Sequence, residues 1–336
     1  MVNPVLAEVT RGPLVESRHR GAVAVSDAHG HLLLALGDVG QIIYPRSAAK
    51  ALQALPLVES GAADAFGFGH EALALACASH NGEARHVATA AAMLDAAGLS
   101  ESDLACGPQP PRREEDMAAL QRRGVRPGPL HNNCSGKHAG MLAVARHLGF
   151  PTAGYERPVH PVQRLVRAAI EEVCNTALRG DACAIDGCSI PTWGLPIQAL
   201  ARGFARFAAG EGLTEARAAA AARLRQAVAA APHMVAGLGR YCTDLMALLG
   251  GRVFVKTGAE GVFCAAIPER GLDAALKVDD GAGRAAEVMM AHVVHGFCRM
   301  SAAEARSFQR FLRPTLRNWR GTAVGEIRAV EPLLLL

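Results

Sequence analysis

The sequence predicts an α/β protein: an antiparallel sheet formed by N- and C-terminal strands, flanked by helices, with a helical subdomain inserted between the two sets of strands. Three observations carry this. Segments of β-branched and alternating apolar residues cluster in the first forty or so residues and return after Arg252, whereas the middle of the chain is rich in Ala and Leu at helical spacing. Half of the 336 residues are hydrophobic, enough for a sizeable core. Strands separated by a long helical block must pair across it, so the block becomes a second layer and the cleft between the two is where a site belongs.

Taken in order, strands are expected around Leu14 to Glu16, Ala22 to Ser26 and Leu32 to Leu36, with Asp27-Ala28-His29-Gly30 as a hairpin turn. Helices follow at Glu71 to Ala78, His86 to Ala97, His138 to Leu148, Pro161 to Val173 and Leu213 to Ala231, where apolar residues recur every three or four positions. Gly107 to Pro111 and Gly124 to Leu130 read as loops within this part. Strand signals resume at Val253 to Lys256, Val262 to Ile267 and Leu272 to Val278, before an amphipathic helix from Ala285 to about Met300. Residues 1–45 and 250–336 are thus assigned to the sheet part and 46–249 to the helical part of a single catalytic unit.

Composition excludes several classes of function. The net charge of +4 comes from scattered arginines and only 4% of residues are aromatic, so neither a nucleic-acid stripe nor a stacking platform is present. No apolar run approaches the ~20 residues of a membrane span. Nine cysteines form no disulfide framework, and Met1 to Thr10 lacks a basic segment leading into an apolar one. A cytoplasmic, reducing setting is the expectation.

Lysine is scarce, and its placement points to chemistry. Lysine occurs only at Lys50, Lys137, Lys256 and Lys277, among 35 basic residues. A guanidinium stays protonated, whereas a buried ammonium can lose its proton and act as a base. Ser47 and Lys50 fall one helical turn apart, so the hydroxyl and the amine should touch, and a lysine with a lowered pKa could activate the serine. An N-capping serine and a solvated lysine would look the same. Chain order argues otherwise, because S-x-x-K at Ser47, S-x-N at Ser79 and K-T-G at Lys256 recur in serine β-lactamases and penicillin-binding proteins.

Cys134, Lys137, His138 and Cys188 offer thiolates, an amine and an imidazole that could hold a metal, although their spacing matches no common zinc pattern and buried inert thiols remain open. Gly136 is expected to mark close backbone approach to a ligand. Glu83 and Asp186, each beside a glycine in an expected loop, are candidates for a substrate ammonium.

Six segments, in order, resemble the asparaginase II family, typified by the thermolabile rhizobial L-asparaginase. They are Arg46-Ser47-Ala48-Ala49-Lys50; Cys77-Ala78-Ser79-His80-Asn81-Gly82-Glu83 with His86; Asn133 to Leu142; His160-Pro161-Val162-Gln163; Asp186-Gly187-Cys188; and Lys256 to Gly261. The resemblance implies a β-lactamase/glutaminase-like fold, a homodimer, and hydrolysis of L-asparagine to L-aspartate and ammonia. It implies two Ser/Lys pairs, Ser47 with Lys50 and Ser79 with Lys256, and a zinc (Zn2+) site at Cys134, Lys137 and Cys188. Arg46, Asn81, Gly82, Glu83, His138 and Asp186 are then the candidate substrate-binding residues, with Arg46 or Lys256 for the carboxylate. Rival readings are a glutaminase or other small-amide hydrolase, a penicillin-recognising acylase, an amidohydrolase using Cys134 with His138 as base, and a non-catalytic amide sensor.

Overall fold

The computed structural model describes residues 2–336. Eight strands form one antiparallel sheet: β1 (Val5–Arg11), β2 (Leu14–Ser26), β3 (Leu32–Leu36), β4 (Phe254–Thr257), β5 (Val262–Ile267), β6 (Leu272–Val278), β7 (Thr315–Arg317) and β8 (Ala323–Ala329). Their order is β7-β8-β1-β2-β6-β5-β4, with β3 also on β2. The two ends of the chain therefore meet at β2. Its first half pairs with β1, and its second half pairs with β6 from Gly21 opposite Val278 to Ser26 opposite Asp273, with β3 alongside.

This is the expected α/β architecture, with differences in detail, and β7 and β8 at the far edge of the sheet were not expected from the sequence. Strand β2 is continuous where two short strands were expected, because pairing with β1 carries the polar run Ser17 to Arg20 through the sheet. Strand β1 was not anticipated, since its buried positions do not alternate and so leave no period-two signal.

The main helices are α1 (His70–Ala76), α2 (Ala84–Ala96), α3 (Ser135–His147), α4 (Pro161–Cys174), α5 (Ile197–Ala209), α6 (Glu215–Ala230), α7 (Gly283–Phe297) and α8 (Ala302–Leu312). All six residues of β5 are buried, so both faces of the sheet must be covered. Helices α5 and α7 each pack on β5 and β6 and supply that cover. Helix α3 runs through the helical part with eleven consecutive residues buried, Ser135 to Ala145, as expected of a helix enclosed on every side. It starts at Ser135, three residues earlier than expected, which places Lys137 and His138 in its first turn.

Gly136 is explained by packing, which corrects the expectation of a ligand contact. A Cβ there would lie 2.4 Å from Leu75 Cγ and 2.5 Å from Leu75 O, so the glycine lets α3 press against α1. Helix α8 opens on a capping box between Ser301 and Glu304, the S-x-x-E signal of a helix start. All nine cysteines are free thiols, and among the described residues no helix is long and apolar enough to cross a membrane.

Candidate active site

Ser47 and Lys50 lie on one short helical run, a 3-10 turn over Arg46–Ala49 continued by an α-turn over Lys50–Gln53. Lys50 is fully buried, so its amine must find acceptors inside the protein. It donates to Ser79 Oγ at 3.0 Å, to Ala78 O, and at 3.4 Å to both Asn133 O and Asn133 Oδ1. From β4, Lys256 donates to Ser79 Oγ at 2.8 Å and to Thr257 O at 2.7 Å. One hydroxyl, three residues beyond α1, is thus held between two buried amines. The Ser79–Lys256 contact matches the pairing drawn from resemblance. Lys50, however, turns to Ser79, and among the described residues no hydrogen bond joins it to Ser47.

Burial and proximity act together on the two amines. Burial, with the nearby Lys50 charge, pushes Lys256 down to about 7. Burial likewise lowers Lys50, with Lys137 adding to the effect and the thiols of Cys134 and Cys188 opposing it. Near neutral pH the pair therefore includes an uncharged amine that can take a proton.

The strand and the serine turn meet because Gly258 has no side chain. A Cβ there would sit 2.9 Å from Pro45 O and 3.2 Å from Ala48 N, within the turn that carries Ser47. Above this floor opens a cleft of about 480 Å³ whose lining includes Ser47, Ser79, His80, Gln109, Asn133, Arg112, Arg240 and Glu287.

The thiol cluster also assembles. Cys134 precedes α3, and Cys188 lies in the loop between the paired strands Cys183–Ile185 and Pro191–Trp193. Lys137 Nζ is 2.9 Å from Cys188 Sγ. The hydrogen bond with Cys188 holds the Cys134 thiol well below its ordinary range, helped by the Lys137 and Lys50 charges, while the same contact and burial push Cys188 up. These opposite directions favour a charge on Cys134 over one on Cys188. Burial opposes the charge on Lys137, yet the two sulfurs keep its amine protonated, so the pKa is raised. Two sulfurs and one nitrogen, buried together, are a donor set that suits zinc once the amine is deprotonated.

The remaining candidates fall into three groups. Arg46 and Asp186 pair with each other, Nε to Oδ1 at 2.6 Å. Burial would raise the Asp186 carboxyl, but Lys137 and Arg46 hold it below the usual range. His138 is buried, its Nδ1 lies 2.5 Å from Tyr155 Oη rather than on a thiol, and its Nε2 has no partner. Burial keeps that imidazole neutral.

Asn81, Gly82 and Glu83 form a support behind the cleft. Asn81 Nδ2 donates to Glu83 Oε1 at 2.9 Å, and His233 Nε2 lies 2.8 Å from Glu83 Oε2. Gly82 sits under His131 O, where a Cβ would approach to 2.7 Å. Ligand atoms of Glu83, His86 and His233 fall within 4.8 Å of one another. Both His86 nitrogens are already engaged, Nδ1 by Glu83 N and Nε2 by His233 O, so this cluster is a structural relay.

Sequence reasoning missed Arg112, Arg240 and Glu287. Two signals were available: Arg240 follows Gly237-Leu238-Gly239, a loop that brings backbone close to a site, and Glu287 is the one acidic residue of α7.

The fold and the cleft define an α/β protein whose antiparallel sheet and helical part enclose a serine held by two lysines. The profile of the family described as L-asparaginase II matches residues 7–329, nearly the whole chain. The chain belongs to that family and is an asparaginase-type amidohydrolase. Among solved structures it is similar to a β-lactamase from Mycobacterium bovis, with 16% identity, a TM-score of 0.41, and coverage of 78% of this chain and 88% of that one. It is also similar to Mglu in its native form in 4.3 M NaCl, with 13% identity and a TM-score of 0.41, across 87% of this chain and 60% of that one. No curated protein matches the sequence.

Proposed function

We propose that the protein hydrolyses the side-chain amide of L-asparagine to L-aspartate and ammonia through an acyl-enzyme. The observation that carries this is Ser79 Oγ held between Lys50 Nζ at 3.0 Å and Lys256 Nζ at 2.8 Å beside Ser47 in the cleft. Ser47 Oγ attacks the carboxamide carbon while neutral Lys50 takes its proton. Ser79, in contact with both amines, passes a proton to the departing ammonia, and a water molecule then cleaves the ester to release L-aspartate and restore Ser47.

A second reading exchanges the serines, and the hydrogen bond of Lys50 to Ser79 favours it. Acid quenching during turnover, followed by peptide mass spectrometry, separates the two: an aspartyl ester on the Ser47 peptide supports the first, and one on the Ser79 peptide supports the second. No ester and no ammonia release from asparagine, glutamine or related amides would sink both.

Zinc at Cys134, Lys137 and Cys188 belongs to the same proposal. When bound, the ion supplies positive charge that keeps both sulfurs as thiolates and the Lys137 amine neutral. The expected result is about one zinc per chain by elemental analysis, lost in Cys188→Ala. The homodimer and the cytoplasmic setting are carried in the proposal too, and sedimentation at twice the chain mass of 35.1 kDa tests the former.

A further inference from the structure

We propose that Glu287 and Arg240 clamp the two charges of an α-amino acid, with the Glu287 carboxylate taking the substrate ammonium and the Arg240 guanidinium taking its carboxylate. This rests on the amide-hydrolase reading above and names the substrate class that the cleft accepts: small amides bearing a free α-amine and a free α-carboxylate, not peptides or N-acyl amides.

Glu287 projects from α7 into the cleft that contains Ser47 and Ser79. It is half-buried, and among the described residues no hydrogen bond or ion pair engages its carboxylate. Burial raises that carboxyl, against the pull of Arg240 and Arg112. The cleft wall therefore presents a carboxylate that no group among the described residues pairs with, and a substrate cation would pair with it.

Arg240, by contrast, is fixed in place. Its Nη1 donates to Asn81 Oδ1 at 3.0 Å and to Ser79 O at 3.4 Å, which ties the guanidinium to the backbone of the serine that both lysines hold. Asn81 is itself oriented, because its Nδ2 donates to Glu83 Oε1 at 2.9 Å and to Leu238 O at 3.1 Å. Glu83 also receives Leu238 N at 2.8 Å. The loop fits this support only with glycine at 237, where φ is +103° and a Cβ would lie 2.4 Å from Glu83 Oε1. Asn81 and Glu83 are therefore positioning residues for Arg240. Arg46 and Asp186 neutralise each other, which leaves the wall of Arg112, Arg240 and Glu287 as the place where opposite charges face the cleft, and of its two arginines Arg240 is the one anchored to the Ser79 turn.

The test compares three amides on the full-length protein. L-asparagine carries both charges, succinamic acid lacks the ammonium, and 3-aminopropanamide lacks the carboxylate. The readout is kcat/KM, or Ki against asparagine hydrolysis where turnover is slow. Glu287→Gln is expected to lose about 10- to 100-fold with asparagine and 3-aminopropanamide while leaving succinamic acid within a few-fold of wild type. Arg240→Gln also loosens the Ser79 backbone and should slow all three amides, with a further loss of about 10- to 100-fold on asparagine and succinamic acid relative to 3-aminopropanamide.

Equal losses on all three amides, with the circular dichroism spectrum unchanged, would overturn the clamp. A wild-type protein inert on every amide would instead remove the hydrolase reading. Calorimetry with L-aspartate then still decides the clamp: binding that Glu287→Gln weakens supports it, and binding that Glu287→Gln leaves unchanged overturns it.

Discussion

Two ammonium groups cannot share one hydroxyl in a buried cleft without one of them giving up its proton, and that constraint sets the pH behaviour of the site. Lys256 is pushed down to about 7, so kcat/KM is expected to rise with pH through that region as the amine becomes neutral. A flat profile from pH 6 to 9 would contradict a lysine base. Lys256→Met should remove the rise near 7, because the amine that loses its proton there is gone and Lys50 is left to set the limb. Stability should follow the same group. An unfolded lysine holds its proton up to its ordinary 10.5, whereas the folded one releases it near 7, so between those values the unfolded state binds more protons and stability climbs with pH. Urea titrations at pH 7 and pH 10 should show this climb in wild type and a flatter response in Lys256→Met. Lys50→Met should lower kcat by ~100- to 10,000-fold with an unchanged circular dichroism spectrum, and a near-normal rate would remove Lys50 from the mechanism. The lysines were legible because their motifs are local. The contact of Lys50 with Ser79 was not, because it joins residues 29 positions apart.

At the scale of elements, the site depends on how closely α3 and β4 approach their neighbours. Spacing alone located β5 and β6 to the residue, since β5 is a short apolar run and β6 a largely apolar one, each bounded by turn residues. It could not show which glycines mark tight packing, as Gly136 illustrates. Gly136→Ala would drive a methyl group into Leu75, where the nearest atoms include the backbone carbonyl, and it is expected to lower stability by about 1–3 kcal/mol. Gly258→Ala acts differently, because its Cβ meets Pro45 O and Ala48 N on the turn that carries Ser47. It should shift that turn relative to Lys256 and lower kcat by up to ~100-fold, with a smaller loss of stability than at Gly136. Thermal melts and initial rates on the two variants separate these effects, and a Gly258→Ala protein of normal rate would show that the approach of β4 to the turn is not critical.

Across the whole molecule, the reactive groups come from segments that only the completed sheet brings together. Ser47 and Ser79 belong to the helical part, whereas Lys256 lies on β4, which the sheet joins to β1 and β2 through β5 and β6. Strand β2 makes this closure, pairing with β1 in its first half and with β6 in its second. Helix α5 packs on β2, β5 and β6 while also touching α4 and α6, so the helical part and the sheet share one hydrophobic core. The split of the sheet between the chain ends was legible from where the strand signals fall, but this shared core was not, because it is made of contacts between distant segments. A common core implies that residues 46–249 and the sheet unfold together as a single cooperative unit. In urea, far-ultraviolet circular dichroism, tryptophan fluorescence and asparaginase activity should therefore fall in one coincident transition. If helicity persisted after activity and sheet signal were lost, the helical part would be folding by itself, and the two lysines would meet at Ser79 only through docking of two independent bodies.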